Sequence, residues 1–208
     1  MPSYLFAISE FVLRVRYFVL LAVALYTSHA SGDVKSDSNF QYASLKVAIV
    51  HIPDIDDAYV GPDLETSLLI NDRWFTQISY TLATRDAILN TEEDNLRSAI
   101  RIGYRETIKR YTNLTFYSAL GLVRSEIESP FDPVDDYAAT ASAGFTKRYF
   151  SFLEFIGEYT YIHWDETGSG SYGTIGSNIY LPYNFSLSGD IRVQEDANSY
   201  RIGIRYHF

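Results

Sequence analysis

The chain has no cysteine and, beyond its first residue, no methionine. Without cysteine there is neither a disulfide framework nor a thiolate zinc site. Basic residues are in the minority: 17 Lys and Arg stand against 26 Asp and Glu, a formal charge of −9. That balance argues against a general affinity for nucleic acid or for anionic membrane surfaces. Long apolar runs are missing as well. Past residue 30 no uninterrupted apolar stretch approaches the length of a membrane-spanning helix, and no run keeps helical periodicity. A helical membrane protein is therefore excluded. Aromatic residues, by contrast, are plentiful, with 18 Tyr and 13 Phe. A tyrosine ring packs against apolar matter while its hydroxyl reaches water, which suits a membrane boundary and also an ordinary all-β protein.

The first thirty residues read as a secretory signal peptide. Arg14 and Arg16 precede an apolar run over 17–26, and Ser28, His29 and Ala30 form a small-x-small exit with cleavage expected after Ala30. The stretch before Arg14 is longer and more apolar than a signal needs. A single membrane anchor is the competing reading, and the apolar core is short for a bilayer helix. Residues 31–41, rich in Ser, Asp and Gly, read as a flexible periplasmic lead-in. Residues 42–208 then break into ten runs of alternating character, bounded by polar turns: 42–50, 59–70, 74–85, 95–108, 111–124, 137–147, 149–164, 171–181, 184–194 and 199–208.

Short and long connections alternate along this region. Tight links are expected at 71–72, 109–110, 147–148 and 182–183, and longer ones at 51–58, 86–94, 125–136, 165–170 and 195–198. A transmembrane barrel has short periplasmic turns and longer external loops, whereas a sandwich has no reason to alternate so regularly. The long connections are acidic, and two of the tight links are the basic pairs Lys109 with Arg110 and Lys147 with Arg148. Solvation explains acidic loops adequately; a sharper reading has their carboxylates hold divalent cations near lipopolysaccharide.

The last run shows the alternation most clearly. Tyr200, Ile202, Ile204, Tyr206 and Phe208 share one face, and Arg201, Gly203, Arg205 and His207 share the other. In a membrane barrel the apolar face meets lipid and the polar face lines the interior. The same split elsewhere assigns an interior charge network of Glu65, Arg97, Arg101, Arg105, Glu154, Glu158, Asp190, Arg192, Arg201 and Arg205. Such groups cannot stay unpaired in a narrow lumen, so paired networks or retained water are expected there. Trp74, Tyr111, Tyr149, Phe150, Trp164 and Tyr183 lie near strand ends, where interfacial aromatic girdles form.

A final strand of alternating apolar and aromatic residues ending at Phe208 resembles the assembly signal of bacterial outer-membrane proteins. The stretch YVGPDLETSLLINDRW over 59–74 is similar to a hairpin of small OmpA-like or porin-family barrels, in which Asn-Asp precedes an aromatic residue. The resemblance implies an all-β, transmembrane, antiparallel up-and-down β-barrel. Ten strands are read from the pattern, and eight is the alternative common in that superfamily. It also implies export to the bacterial outer membrane by way of periplasmic chaperones and the barrel-assembly machinery. The surroundings would be outer-membrane lipids and lipopolysaccharide; no cofactor or metal is expected, and the state is a monomer.

The role expected from these features is structural or surface-interacting, with a polar and largely closed interior. A narrow channel for ions or small solutes is the alternative. Catalysis is not expected, although His51 near Asp54, Asp56 and Asp57, and His163 near Asp165 and Glu166, are the groups that a loop-borne hydrolase would use. A soluble lipocalin-like barrel is the main competing fold. Such a barrel encloses an apolar cavity, whereas this chain sets charges opposite its aromatic faces.

Overall fold

A period-two pattern is satisfied by extended chain, and the described residues form strands. The computed structural model describes residues 40–52, 58–87, 91–108, 114–128, 134–195 and 197–208. Ten strands follow in order: β1 (Tyr42–His51), β2 (Tyr59–Leu69), β3 (Trp74–Ala87), β4 (Thr91–Ile108), β5 (Leu114–Glu128), β6 (Val134–Tyr149), β7 (Leu153–Trp164), β8 (Gly168–Tyr180), β9 (Phe185–Gln194) and β10 (Asn198–His207). Each pairs antiparallel with the next, and β10 returns to β1 to close a barrel. The closing ladder runs without a break from Tyr42 opposite His207 to His51 opposite Asn198. Closure removes the free edges that an open sheet would expose. The strand number is ten, and the eight-stranded alternative falls.

The connections differ from expectation in an informative way. The tight link expected at 147–148 lies inside β6, whose ladder with β7 continues to Tyr149 opposite Leu153. The basic pair mimicked a solvated turn, but in a strand its two side chains point to opposite faces. Arg148 stacks at 4.1 Å on Tyr180, and the chain turns at 150–152, where Phe150 takes a φ of 57°. The long connections expected at 86–94 and 125–136 are mostly ladder: β3 and β4 stay paired to Ala87 opposite Thr91, and β5 and β6 to Ile127 opposite Val134. Those at 165–170 and 195–198 shrink to 165–167 and 195–197. The tight link at 109–110, with Tyr111, and the acidic residues Asp54, Asp56 and Asp57 lie outside the described residues.

Charge is tolerated in the extended ends of these strands because cross-strand partners neutralise it. Arg124 of β5 holds Asp135 of β6 through two hydrogen bonds of 2.9 and 2.8 Å and lies 3.2 Å from Glu126. Those hydrogen bonds keep the Asp135 carboxyl below the usual carboxylate range. A depressed folded value means that the pair's contribution is present above the ordinary Asp value of 3.8 and lost as pH falls through the folded one. Carbon-detected NMR of the side-chain carboxyl is expected to show Asp135 titrating below the usual aspartate value of 3.8, and Arg124→Gln to raise it. β4 reaches 18 residues against 10 in β1, so one flank of the barrel stands taller than the other.

The burial pattern is inverted relative to a soluble domain. Leu120 and Ile175 are 66% and 73% exposed on the outer surface, while Lys46 and Glu154 are only 3% and 1% exposed inside. Small apolar clusters do occur inside, one of Phe40, Phe75 and Ala119 and another of Val123, Ala138 and Ile162.

Candidate functional site

Each strand sends every second side chain inward, and the register decides which of them meet. Arg201 of β10 stands opposite Asp190 of β9, and its Nε donates to that carboxylate at 2.6 Å. Lys46 of β1 reaches the same carboxylate at 3.0 Å and comes within 3.9 Å of Glu65 on β2. Asp63, opposite Lys46, lies 3.7 Å from Arg201 and accepts from Thr81 at 2.7 Å. Glu65 accepts the Tyr42 phenol and lies 3.7 Å from Arg205, whose guanidinium sits 3.6 Å over the Tyr42 ring. The Tyr42 oxygen accepts in turn from the Gln77 amide at 3.0 Å, and the Gln77 carbonyl takes Nε of Arg101 at 2.9 Å. Arg101 donates to Glu158 at 2.9 Å, where Tyr117 and Thr160 also donate, at 2.9 and 3.2 Å.

This chain of contacts is unbroken from β9 and β10, through β1, β2, β3 and β4, to β5 and β7, and so crosses the bore. Taking ions out of water costs several kcal/mol each, and only close pairing with the remaining donors and acceptors satisfied offsets it. One glycine makes the last link fit. Tyr117, Gly144 and Glu158 lie in one row across β5, β6 and β7, so the phenol must pass over residue 144 to reach the carboxylate. A Cβ at Gly144 would meet the Tyr117 ring and hydroxyl at 2.6 Å, and the Gly157 carbonyl at the same distance. Gly144→Ala is expected to cost about 1–3 kcal/mol through overpacking. In urea unfolding this loss should shrink when Tyr117→Phe removes the displaced hydroxyl.

Of the ten interior residues expected from sequence, Glu65, Arg101, Glu158, Asp190, Arg201 and Arg205 join this network. Glu154 stands apart, accepting from the Asn178 amide at 2.9 Å. Arg105 lies at the lower end, donating to the Asp72 carbonyl at 3.0 Å and covering the Phe40 ring at 5.1 Å. Arg97 and Arg192 meet no carboxylate among the described residues. They lie over aromatic rings: Arg192 at 4.4 Å from Tyr172, and Arg97 at 5.9 Å from Tyr172 and 5.8 Å from Trp164.

Sequence reading missed Tyr42, Lys46, Asp63, Gln77 and Tyr117 as members of the network, although strand parity alone sets each of them inward. It also missed Phe40, placed in the lead-in. That residue is buried at the lower end, 4.7 Å from Phe75 and 5.5 Å from Tyr117, with its carbonyl held by Ser67 at 2.8 Å.

Trp74 and Tyr149 lie exposed on the outer surface, and Phe150 and Tyr183 stand exposed in the turns that follow β6 and β8. Trp164 departs from the girdle. It packs with the inner cluster of Val123, Ala138 and Ile162, because its parity is that of Glu154 and Glu158. Tyr200, Ile202, Ile204 and Tyr206 form an exposed outer row, and Phe208 continues it with its ring 6.4 Å from that of Tyr206. His163 shares a hydrogen bond of 2.7 Å with Ser169, His207 shares one of 3.0 Å with Ser186, and His51 makes an edge contact with Tyr200. Among the described residues no three metal-ligating side chains converge. Two internal cavities, about 120 and 110 Å³, share the side chains of Thr81, Arg97, Arg192 and Arg201.

The chain matches no family model and no curated protein. Among solved structures it is similar to a NanC porin, at a TM-score of 0.50 and 10% identity over 79% of this chain and 100% of that one. It is also similar to Ail, the attachment invasion locus protein of Yersinia pestis, at 0.42 and 14% over 80% and 95%, and to the outer membrane protein OprG of Pseudomonas aeruginosa, at 0.41 and 13% over 80% and 94%. What the first of these likenesses shows is the fold, a closed antiparallel β-barrel of the kind found in a porin.

Proposed function

We propose that the chain is an integral barrel of a bacterial outer membrane, structural or surface-interacting in role, with an interior too closely paired to conduct freely. The observation that carries this reading is the ionic chain across the bore inside an apolar outer surface. A soluble barrel exposing Leu120 and Leu122 on β5, Tyr159 and Tyr161 on β7, Ile175 on β8 and Ile202 on β10 would present a large apolar surface to water. A bilayer turns the same surface into a favourable contact. The tall strand ends with Arg124 and Asp135 then face away from the cell, and the turns at 70–73, 150–152 and 181–184 face the periplasm. The surroundings are outer-membrane lipids and lipopolysaccharide, delivery is by periplasmic chaperones and the barrel-assembly machinery, and the state is monomeric.

A narrow channel for ions or small solutes is the second reading, favoured by the two cavities that meet at Arg97, Arg192 and Arg201. Planar-bilayer recordings of the refolded protein separate the two, with rare, small events expected from a closed bore. Steady openings of nanosiemens size would overturn the closed interior. Heat-modifiable migration on a gel after outer-membrane extraction is expected, and a monomer stable in water without detergent would overturn the membrane assignment itself.

A further inference from the structure

Inside the barrel Lys46, Arg101, Arg201 and Arg205 each lie against a carboxylate. Arg97 and Arg192 do not. Their contacts among the described residues are with the faces of aromatic rings, and both guanidinium groups lie over the one ring of Tyr172. Nε of Arg192 is buried and finds no acceptor among the described residues. The acids nearest in the fold are held by other groups: Asp190 by Arg201 and Lys46, Glu158 by Arg101 and Tyr117, and Asp63 through Oδ2 by Thr81 and Arg201, with its Oδ1 left without a hydrogen bond among the described residues. An arginine cannot shed its charge by deprotonation. A ring face attracts a cation, but more weakly than burial of an ion disfavours it. Two guanidinium groups on one ring also repel each other. Both line the two internal cavities, so there is room beside them for a further group.

We infer that the barrel holds a small inorganic anion in its interior, bridging the Arg97 and Arg192 guanidinium groups beside Tyr172. The anion supplies the negative charge that the strands omit at this level, and it takes the unused N–H donors of both arginines as charge-assisted hydrogen bonds. The site is a resident counter-ion position and does not depend on whether the bore conducts. Its chemistry is that of a halide or a small oxyanion; an extended ligand would have to displace the Arg201 to Asp190 pair.

Trp164 provides a reporter, since its ring lies 5.8 Å from the Arg97 guanidinium carbon. The chain contains two tryptophans, so Trp74→Phe leaves Trp164 alone. In that full-length protein, refolded in detergent micelles, iodide replaces gluconate at constant ionic strength while fluorescence is read. The expected result is quenching that saturates, is reversed by chloride, and needs at least about tenfold more iodide after Arg97→Gln or Arg192→Gln. Quenching that rises linearly without saturation in the unsubstituted site, or saturation unchanged in both variants, would overturn the inference. Should either variant lose its heat-modifiable migration, bromide-soaked crystals of the unaltered protein decide. An anomalous peak between the two guanidinium groups supports the site, and its absence there rejects it. Nanosiemens conductance with saturable quenching would sink the closed-bore reading and leave the anion in place.

Discussion

Glu65→Gln is expected to destabilise the barrel by about 3–5 kcal/mol, the loss that follows when one partner of a buried ionic group is removed. The substitution preserves volume and leaves an amide oxygen to accept the Tyr42 phenol. It removes the negative charge that faces Lys46 at 3.9 Å and Arg205 at 3.7 Å. Lys46 keeps Asp190, but Arg205 is left with the Tyr42 ring and, among the described residues, no carboxylate within ion-pair distance. Urea unfolding in micelles, followed by tryptophan fluorescence, measures the loss. Adding Arg205→Gln to the same chain should recover part of it, and the double-mutant cycle should return a coupling of about 1–3 kcal/mol. A loss below about 1 kcal/mol in the single variant would mean that the interior is wet enough for water to replace the carboxylate.

The outer surface carries the other large expectation. Leu120 lies midway along β5, opposite Ile102 on one side and Ala141 on the other, in the middle of the apolar belt. If that belt faces hydrocarbon, Leu120→Arg costs about 2–4 kcal/mol, as cations do at the bilayer midplane. On a water-facing surface the same change would stay within about 0.5 kcal/mol. Unfolding free energies from phospholipid vesicles distinguish these cases. The same substitution at an outward position near the rim, such as Tyr137, should cost far less. Equal and negligible effects at both positions would remove the membrane reading.

How far the sequence could be read depends on which coordinate of the barrel is asked for. Alternation tells on which face a side chain lies, and in the structure Arg101 and Glu158 meet on the inner face while Arg201 meets Asp190. It does not tell at what height, because height follows from strand tilt and register accumulated around the whole sheet. Arg97 and Arg101 share an inward row on β4, yet only Arg101 stands level with Glu158. Lys46 went unnoticed because it is a lone cation in the apolar run LKVAIV, where a single polar residue carries little weight. Trp164 was misplaced by giving strand-end position precedence over parity. Acidic stretches such as 125–136 read as loops because charge and turns share a composition, whereas a ladder that projects past the apolar belt can carry charge on both faces. Phe40 precedes the first strand in a polar segment without periodicity, so nothing local announced its burial.

The ionic chain also bears on how the barrel shuts. Its densest part joins β1 and β2 to β9 and β10, and Lys46 and Asp190 lie 144 positions apart along the chain. While the sheet is still open, Lys46, Asp63 and Glu65 sit at one margin and Asp190, Arg201 and Arg205 at the other, and the pairs that span the seam, Lys46 with Asp190, Asp63 with Arg201 and Glu65 with Arg205, are apart and hydrated. Bringing the margins partway together strips water from these charges before their partners arrive, so a half-shut sheet is worse placed than either extreme. The two margins therefore engage as a latch and not as a zip, and the rate of that single late event falls with the long separation in sequence it must bridge.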